Sequence, residues 1–206
     1  AESVKKILKT KYLLGLQNLK SINPENINED LNNASHAELS EKLYSKAITL
    51  LKDEKNLLPL SCSKTYYYLP LEEAPFQTFV DHLNLGTTVK VISKTEIAQI
   101  PENSTVIVGF HKDNSTAYKS YKISQESKDI LAELSKKQNV ILDVFGSPYA
   151  LKDVDISKIS TVLVSYENND LSMKASAKAV LGKTKISGKL PVIVNENLKA
   201  GSGIEK

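Results

Sequence analysis

Apolar residues follow two different rhythms along this chain of 206 residues. Near the start, Val4, Ile7, Leu8, Tyr12 and Leu13 recur at helical intervals, with Lys5, Lys6, Lys9 and Lys11 between them. That spacing predicts an amphipathic helix, and Gly15 stands where such a helix would stop. Residues 21–33 are polar and rich in Asn, carry Pro24 and show no period, so they read as a linker or surface loop. Leu39, Leu43, Ala47 and Leu50 then form one stripe. Ser35 and Glu38 make a capping-box pair ahead of it, which predicts a second helix over residues 37–52.

Beyond Asn56 and Pro59 the rhythm changes to short apolar runs alternating with helical stretches. Strands are predicted at 65–71, 88–92, 105–110, 140–145, 161–166 and 190–194. Val106-Ile107-Val108 and Val140-Ile141-Leu142 are continuous apolar runs, as suits strands covered on both faces of a parallel sheet. Helices are predicted at 75–84, 94–98, 125–137, 148–152 and 170–181. The alternation predicts an α/β fold: a three-layer flavodoxin-like sandwich of about six mostly parallel strands, with an N-terminal helical arm. The expected organisation is an arm at 1–20, a polar linker at 21–34 and the sandwich at 35–206.

Composition narrows the function. The chain is 41% apolar and 25% charged, within the globular range. No apolar run approaches the roughly 20 residues of a membrane-crossing helix. Its net charge of +3 is too balanced to suggest a nucleic-acid partner. All its basic residues are Lys, so the bidentate Arg clamp for phosphate is missing. Cys62 is the only cysteine, which excludes an internal disulfide and a multi-cysteine zinc site. No glycine-rich phosphate loop follows any strand; Gly109-Phe110-His111 holds a single glycine. No cofactor and no metal site are expected. The chain opens on Ala1 and reads as a processed product or a cut-down chain.

In open α/β sheets, ligands gather beyond the carboxyl ends of the strands. Three positions there draw attention. Glu167 closes the predicted strand at 161–166. His111 follows the strand at 105–110 and opens a polar loop with Asn114 and Tyr118, which offers hydroxyl-binding groups and a stacking face. Asp143 interrupts the apolar run at 140–145, and a carboxylate there needs a partner or a raised pKa if it is buried.

Several segments, in order, resemble the C-terminal α/β domain of glycoside hydrolase family 3. Ser3 to Leu16 resembles the segment that leaves the family's barrel. Ala47 to Leu60 resembles a helix ending in an N-x-L-P-L turn. Phe145-Gly146-Ser147-Pro148-Tyr149 resembles a strand–turn–helix of the β-N-acetylglucosaminidase branch. Thr161 to Glu167 and Ala179 to Val192 resemble the last βαβ unit, with Gly188 turning the chain before a final strand. The resemblance implies a retaining glycosidase whose nucleophile sits on a preceding (β/α)8 barrel, with this domain docked on it in an accessory role. Carbohydrate would then be met through the barrel, and an exported or periplasmic location is favoured.

Hydrolysis of a glycoside needs an acid/base and a nucleophile or second base. The resemblance implies a nucleophile on the barrel; some family 3 enzymes take the acid/base from this second domain, whereas the β-N-acetylglucosaminidase branch takes it from a His–Asp pair on a barrel loop, so no catalytic residue is assigned to this chain. Glu167, Asp143 and His111 are the only candidates, and His111, Asn114 and Tyr118 are the expected rim of the substrate site. A stand-alone module binding a small ligand in the strand-end crevice, and a purely docking domain, are the other readings of the same residues.

Overall fold

The computed structural model describes residues 1–206 except Ile22, Asn114 and Ala117. Two compact units divide the chain at Ala37. The first holds α1 (Glu2–Leu13), a 3-10 turn at Leu16–Asn18 and α2 (Ile27–Leu31). α1 buries none of its residues, and Gly15 follows it at a φ of 71°, a conformation glycine adopts without a Cβ clash. α2 lies within the stretch that shows no apolar period in the sequence. α3 (Ala34–Ala47) follows. Its cap is Asn33 rather than Ser35: the Asn33 Oδ1 accepts the His36 backbone N–H at 3.1 Å.

The second unit is a six-stranded sheet: β1 (Thr49–Asp53), β2 (Thr65–Leu71), β3 (Thr88–Val91), β4 (Thr105–His111), β5 (Asn139–Phe145) and β6 (Thr161–Val164). The spatial order is β1-β6-β5-β4-β2-β3. All pairs are parallel except β1 with β6. The five parallel strands thus follow the doubly wound, flavodoxin-like order, and their direction of winding switches between β2 and β4. α4 (Gln77–Leu83) and α6 (Asp170–Val180) cover one face of the sheet, while α5 (Gln125–Lys137) covers the other.

Two elements depart from the expectation. Residues 49–52, the end of the predicted helix, form β1 together with Asp53, since Thr49 and Leu50 pair with β6 and lie fully buried. Residues 190–194 form no strand. Pro191 has no N–H for a ladder, and β1 already occupies the sheet edge beside β6. The tail instead folds over β1: Ile204 N–H donates to the Leu50 carbonyl at 2.7 Å, and Ile186 and Lys206 exchange backbone bonds. This covers an edge that would otherwise stay open to pairing. Gly188 is needed for close approach, because a Cβ there would collide with the Ala47 and Ile48 carbonyl oxygens.

Candidate functional site

A cleft of about 550 Å³ opens beyond the carboxyl ends of the strands. Three loops build it. The loop after β2 gives Glu73, Ala74 and Pro75; the loop after β4 gives Asp113 and Ser115; the loop after β6 gives Glu167, Asn168 and Asn169. Its place at the β2/β4 switch point is where the winding of the sheet leaves a crevice.

Ion pairs and caps set these loops. Glu72, at a φ of 69°, turns the chain out of β2. Its carboxylate accepts the Ser124 N–H at 3.1 Å and the Ser127 hydroxyl at 2.7 Å, at the start of α5. Lys112 reaches Glu72 at 3.2 Å and Glu73 at 3.0 Å. Burial works against the Glu72 charge, but the bonds from Ser127, Ser124 and Lys112 outweigh it and hold the carboxyl below its ordinary range. Asp113 is held low by its ion pair with Lys119 and by Ser115.

The loop after β6 is drawn tight at once. Tyr166 takes a φ of 67°, and the Glu167 N–H bonds back to the Ser165 carbonyl at 2.8 Å. A non-glycine residue in this three-residue turn is strained, so the surroundings must hold it. They do so through side chains. Asn169 caps α6 by accepting the Ser172 N–H at 2.9 Å, and its Nδ2 donates to the Glu167 carboxylate at 2.7 Å. The Tyr44 hydroxyl donates to the same carboxylate at 2.5 Å. Glu167 is exposed at the cleft. It stands three residues beyond the end of β6 and does not close the strand itself.

His111 lies behind the rim, with 0% of its surface exposed. It stacks on Phe145 with ring centroids 4.6 Å apart. Its Nδ1 meets the Asn168 Oδ1 at 2.6 Å, and the Asn168 Nδ2 donates to the Pro75 carbonyl at 2.9 Å. Because the amide nitrogen serves Pro75, the amide oxygen faces the imidazole, and Nδ1 carries the ring proton. Nε2 is therefore an acceptor, and the Tyr68 hydroxyl donates to it. Burial lowers the His111 pKa to about 4, so the ring is neutral at pH 7. Burial also pushes the Tyr68 phenol well above its ordinary value, and the Asp143 charge adds to this. Gly109 makes the pair possible: a Cβ there would collide with the Tyr68 Oη and the His111 Nε2. The relay Tyr68–His111–Asn168 thus runs from the core to the rim and ties the β6 loop to the β2 loop.

Asp143 is fully buried one strand away, where it is paired in register with Gly109. The Ser165 hydroxyl donates to it at 2.7 Å, and the Ser176 hydroxyl donates to its other oxygen. Burial raises its pKa to about 6 despite these bonds. Neither Asp143 nor His111 opens to the cleft, so neither can meet a ligand there directly. Tyr118 is 99% exposed. Asn114 lies outside the described residues. Among the described residues, no group of three or more His, Cys, Asp and Glu side chains could hold a metal ion, and no helix is long and apolar enough to cross a membrane. Cys62 lies exposed in a loop.

Tyr68, Asn168, Asn169 and Tyr44 were not signalled by any motif. The one cue was Gly109, a glycine inside an otherwise apolar strand, which marks a close approach by another group. What the cleft offers is a set of fixed carboxylate, amide and hydroxyl groups suited to bonding hydroxyls.

No family model matches the chain. It is 26% identical over 203 residues to β-glucosidase C of Emericella nidulans, covering 96% of this chain and 31% of that protein. Among solved structures it superposes on the β-glucoside phosphorylase BglX with a TM-score of 0.68 at 21% identity, over 94% of this chain and 38% of the other. It superposes on a glycoside hydrolase family 3 β-N-acetylglucosaminidase from Paenibacillus sp. str. FPU-7 with a TM-score of 0.63 at 20% identity, over 94% and 39%. The chain therefore spans about a third of the curated relative it matches. Over nearly its whole length, the chain is similar in sequence and fold to the C-terminal α/β domain of glycoside hydrolase family 3 enzymes.

Proposed function

We propose that this chain is the accessory α/β domain of a family 3 glycosidase, acting on β-linked N-acetylglucosamine with retention of configuration. In this reading residues 1–20 are the arm leading from a catalytic (β/α)8 barrel, residues 21–34 are the linker, and residues 35–206 dock on the barrel. The observation that carries it is partial coverage: nearly all of this chain answers to 31–39% of each relative. The cleft adds support. Its carboxylates are committed to Lys112, to Lys119, and to Tyr44 with Asn169, and two further perturbed groups, His111 and Asp143, are buried behind it. Carboxylates held by such partners suit the steadying of a rim.

The choice of sugar rests on the β-N-acetylglucosaminidase relative and on the segment Phe145 to Tyr149; β-glucosides are the competing substrates. The test is hydrolysis of chromogenic β-N-acetylglucosaminide and β-glucoside by the chain alone and mixed with the barrel domain. Silence alone and a rise in the barrel's N-acetylglucosaminidase rate on mixing are expected. Hydrolysis by the chain alone would overturn the accessory role and move attention to Glu167. The cleft also favours a second reading, a stand-alone module binding a small ligand; saturable binding there with no effect on the barrel would select it.

A further inference from the structure

Two loops that leave the carboxyl edge of the sheet side by side each bring one tyrosine to the surface. Tyr121 comes from the segment between β4 and α5. Tyr149 comes from the 3-10 turn Pro148–Asp153 that follows β5, where Ser147 caps the turn and Pro148 opens it. β4 and β5 are neighbours whose last residues, His111 and Phe145, pair in register. The two rings meet with centroids 6.2 Å apart and planes tilted by 56°. They are 42% and 40% exposed, and among the described residues neither hydroxyl has a hydrogen-bond partner. Lys122, which follows Tyr121, and Asp153, which ends the turn that carries Tyr149, stand 4.0 Å apart.

We propose that Tyr121 and Tyr149 form a stacking platform for a pyranose ring of a glycan, a site apart from the strand-end cleft. This rests on the reading that the chain serves a glycan-cleaving enzyme. Aromatic side chains present a flat apolar face with a polar tip at little cost in side-chain entropy. A pyranose ring has the matching form, an apolar face of C–H groups rimmed by hydroxyls. The open phenol hydroxyls, Asp153 and Lys122 supply acceptors and donors for that rim. Two half-exposed rings are far too small for a stable protein interface, which needs on the order of 1,200 Å² in total, yet they match one or two sugars. The loop that carries Tyr121 also supplies Asp113 and Ser115 to the cleft, so a glycan lying along this edge would pass from one to the other.

The test is a titration of the whole chain with the β-1,4-linked trimer of N-acetylglucosamine, following tyrosine ring signals by NMR. Saturable shifts of the Tyr121 and Tyr149 rings are expected. Tyr149→Ala should weaken the apparent Kd about tenfold, while Tyr149→Phe should keep most of the affinity. Tyr12→Ala, at an exposed tyrosine on α1, should change nothing. Rings that do not move with sugar, or a Tyr12→Ala effect equal to that of Tyr149→Ala, would overturn the platform. So would ring shifts caused by the barrel domain alone and never by sugar, since these would make the pair a docking contact. The two readings fail separately. Sugar binding with no activation of the barrel keeps the platform and sinks the accessory role, and activation with silent rings does the reverse.

Discussion

Along β4, Val106, Val108 and Phe110 point to the α5 side of the sheet, and Ile107, Gly109 and His111 point to the side of α4 and α6. β5 repeats the contrast, with Val140, Leu142 and Val144 against Ile141, Asp143 and Phe145. Both sides are equally closed to water. Toward α5 these strand positions are all hydrocarbon, whereas the other side carries a tyrosine, a histidine, an aspartate and serines that bond to one another. A buried carboxylate and a neutral buried histidine cost stability relative to apolar packing. The sheet tolerates that cost on the side whose polar groups continue, through Asn168, into the cleft. Along these strands one face stabilises the fold and the other helps position a rim.

The largest expected break is on the apolar face. Leu142→Ala should cost about 2–5 kcal/mol by urea denaturation, because its surroundings are closed on all sides. The polar face should respond to pH instead. His111 titrates near its ordinary value of 6.5 when unfolded and at about 4 when folded, so its contribution is present above pH 6.5 and lost as pH falls through 4. Asp143 runs the other way: its folded pKa of about 6 lies above 3.8, so its contribution is present below pH 3.8 and lost as pH rises through 6. The two oppose each other between pH 4 and 6. Asp143→Asn removes one of them, so the stability of the variant relative to wild type should rise by about 3 kcal/mol between pH 4 and pH 8, whatever the fixed cost of losing one serine bond. A stability difference that is flat with pH would refute the buried-carboxylate account.

Gly109→Ala sharpens the contrast further. The added Cβ must push Tyr68 and His111 apart, at a cost of about 1–3 kcal/mol, and should shift the His111 ring signals. Asn168→Ala is the mildest change. It should cost about 1 kcal/mol, and its clearest readout is faster hydrogen exchange of the Glu167 and Asn169 amides, with no change in α5. Unchanged exchange would mean that the strained turn at Tyr166 holds itself.

The α/β alternation was legible in the sequence because buried parallel strands are short continuous apolar runs and the helices between them have caps. Residues 65–71 and 125–137 fall where expected, and Ser147-Pro148 opens its turn as expected. Residues 49–52 were misread, because a strand that continues directly from a helix keeps the same apolar spacing for a turn. Residues 190–194 were misread because an apolar run with a proline packs equally well as a covering tail. At the site, the strand ends pointed to Glu167, His111 and Asp143, but not to which of them opens to the cleft.

The sequence by itself determined the layers of this protein: the order of strands and helices, the apolar runs that bury the sheet on both faces, and the absence of a phosphate loop or cysteine cluster. Only the tertiary structure decided that β1 runs antiparallel on the edge, that Gly109 makes room for Tyr68 and His111, and that Asn168 carries their bond to Pro75. The physical reason is range. Spacing and capping act over a few residues, whereas the relay joins groups 43 and 57 positions apart, whose meeting depends on strand register and one missing Cβ.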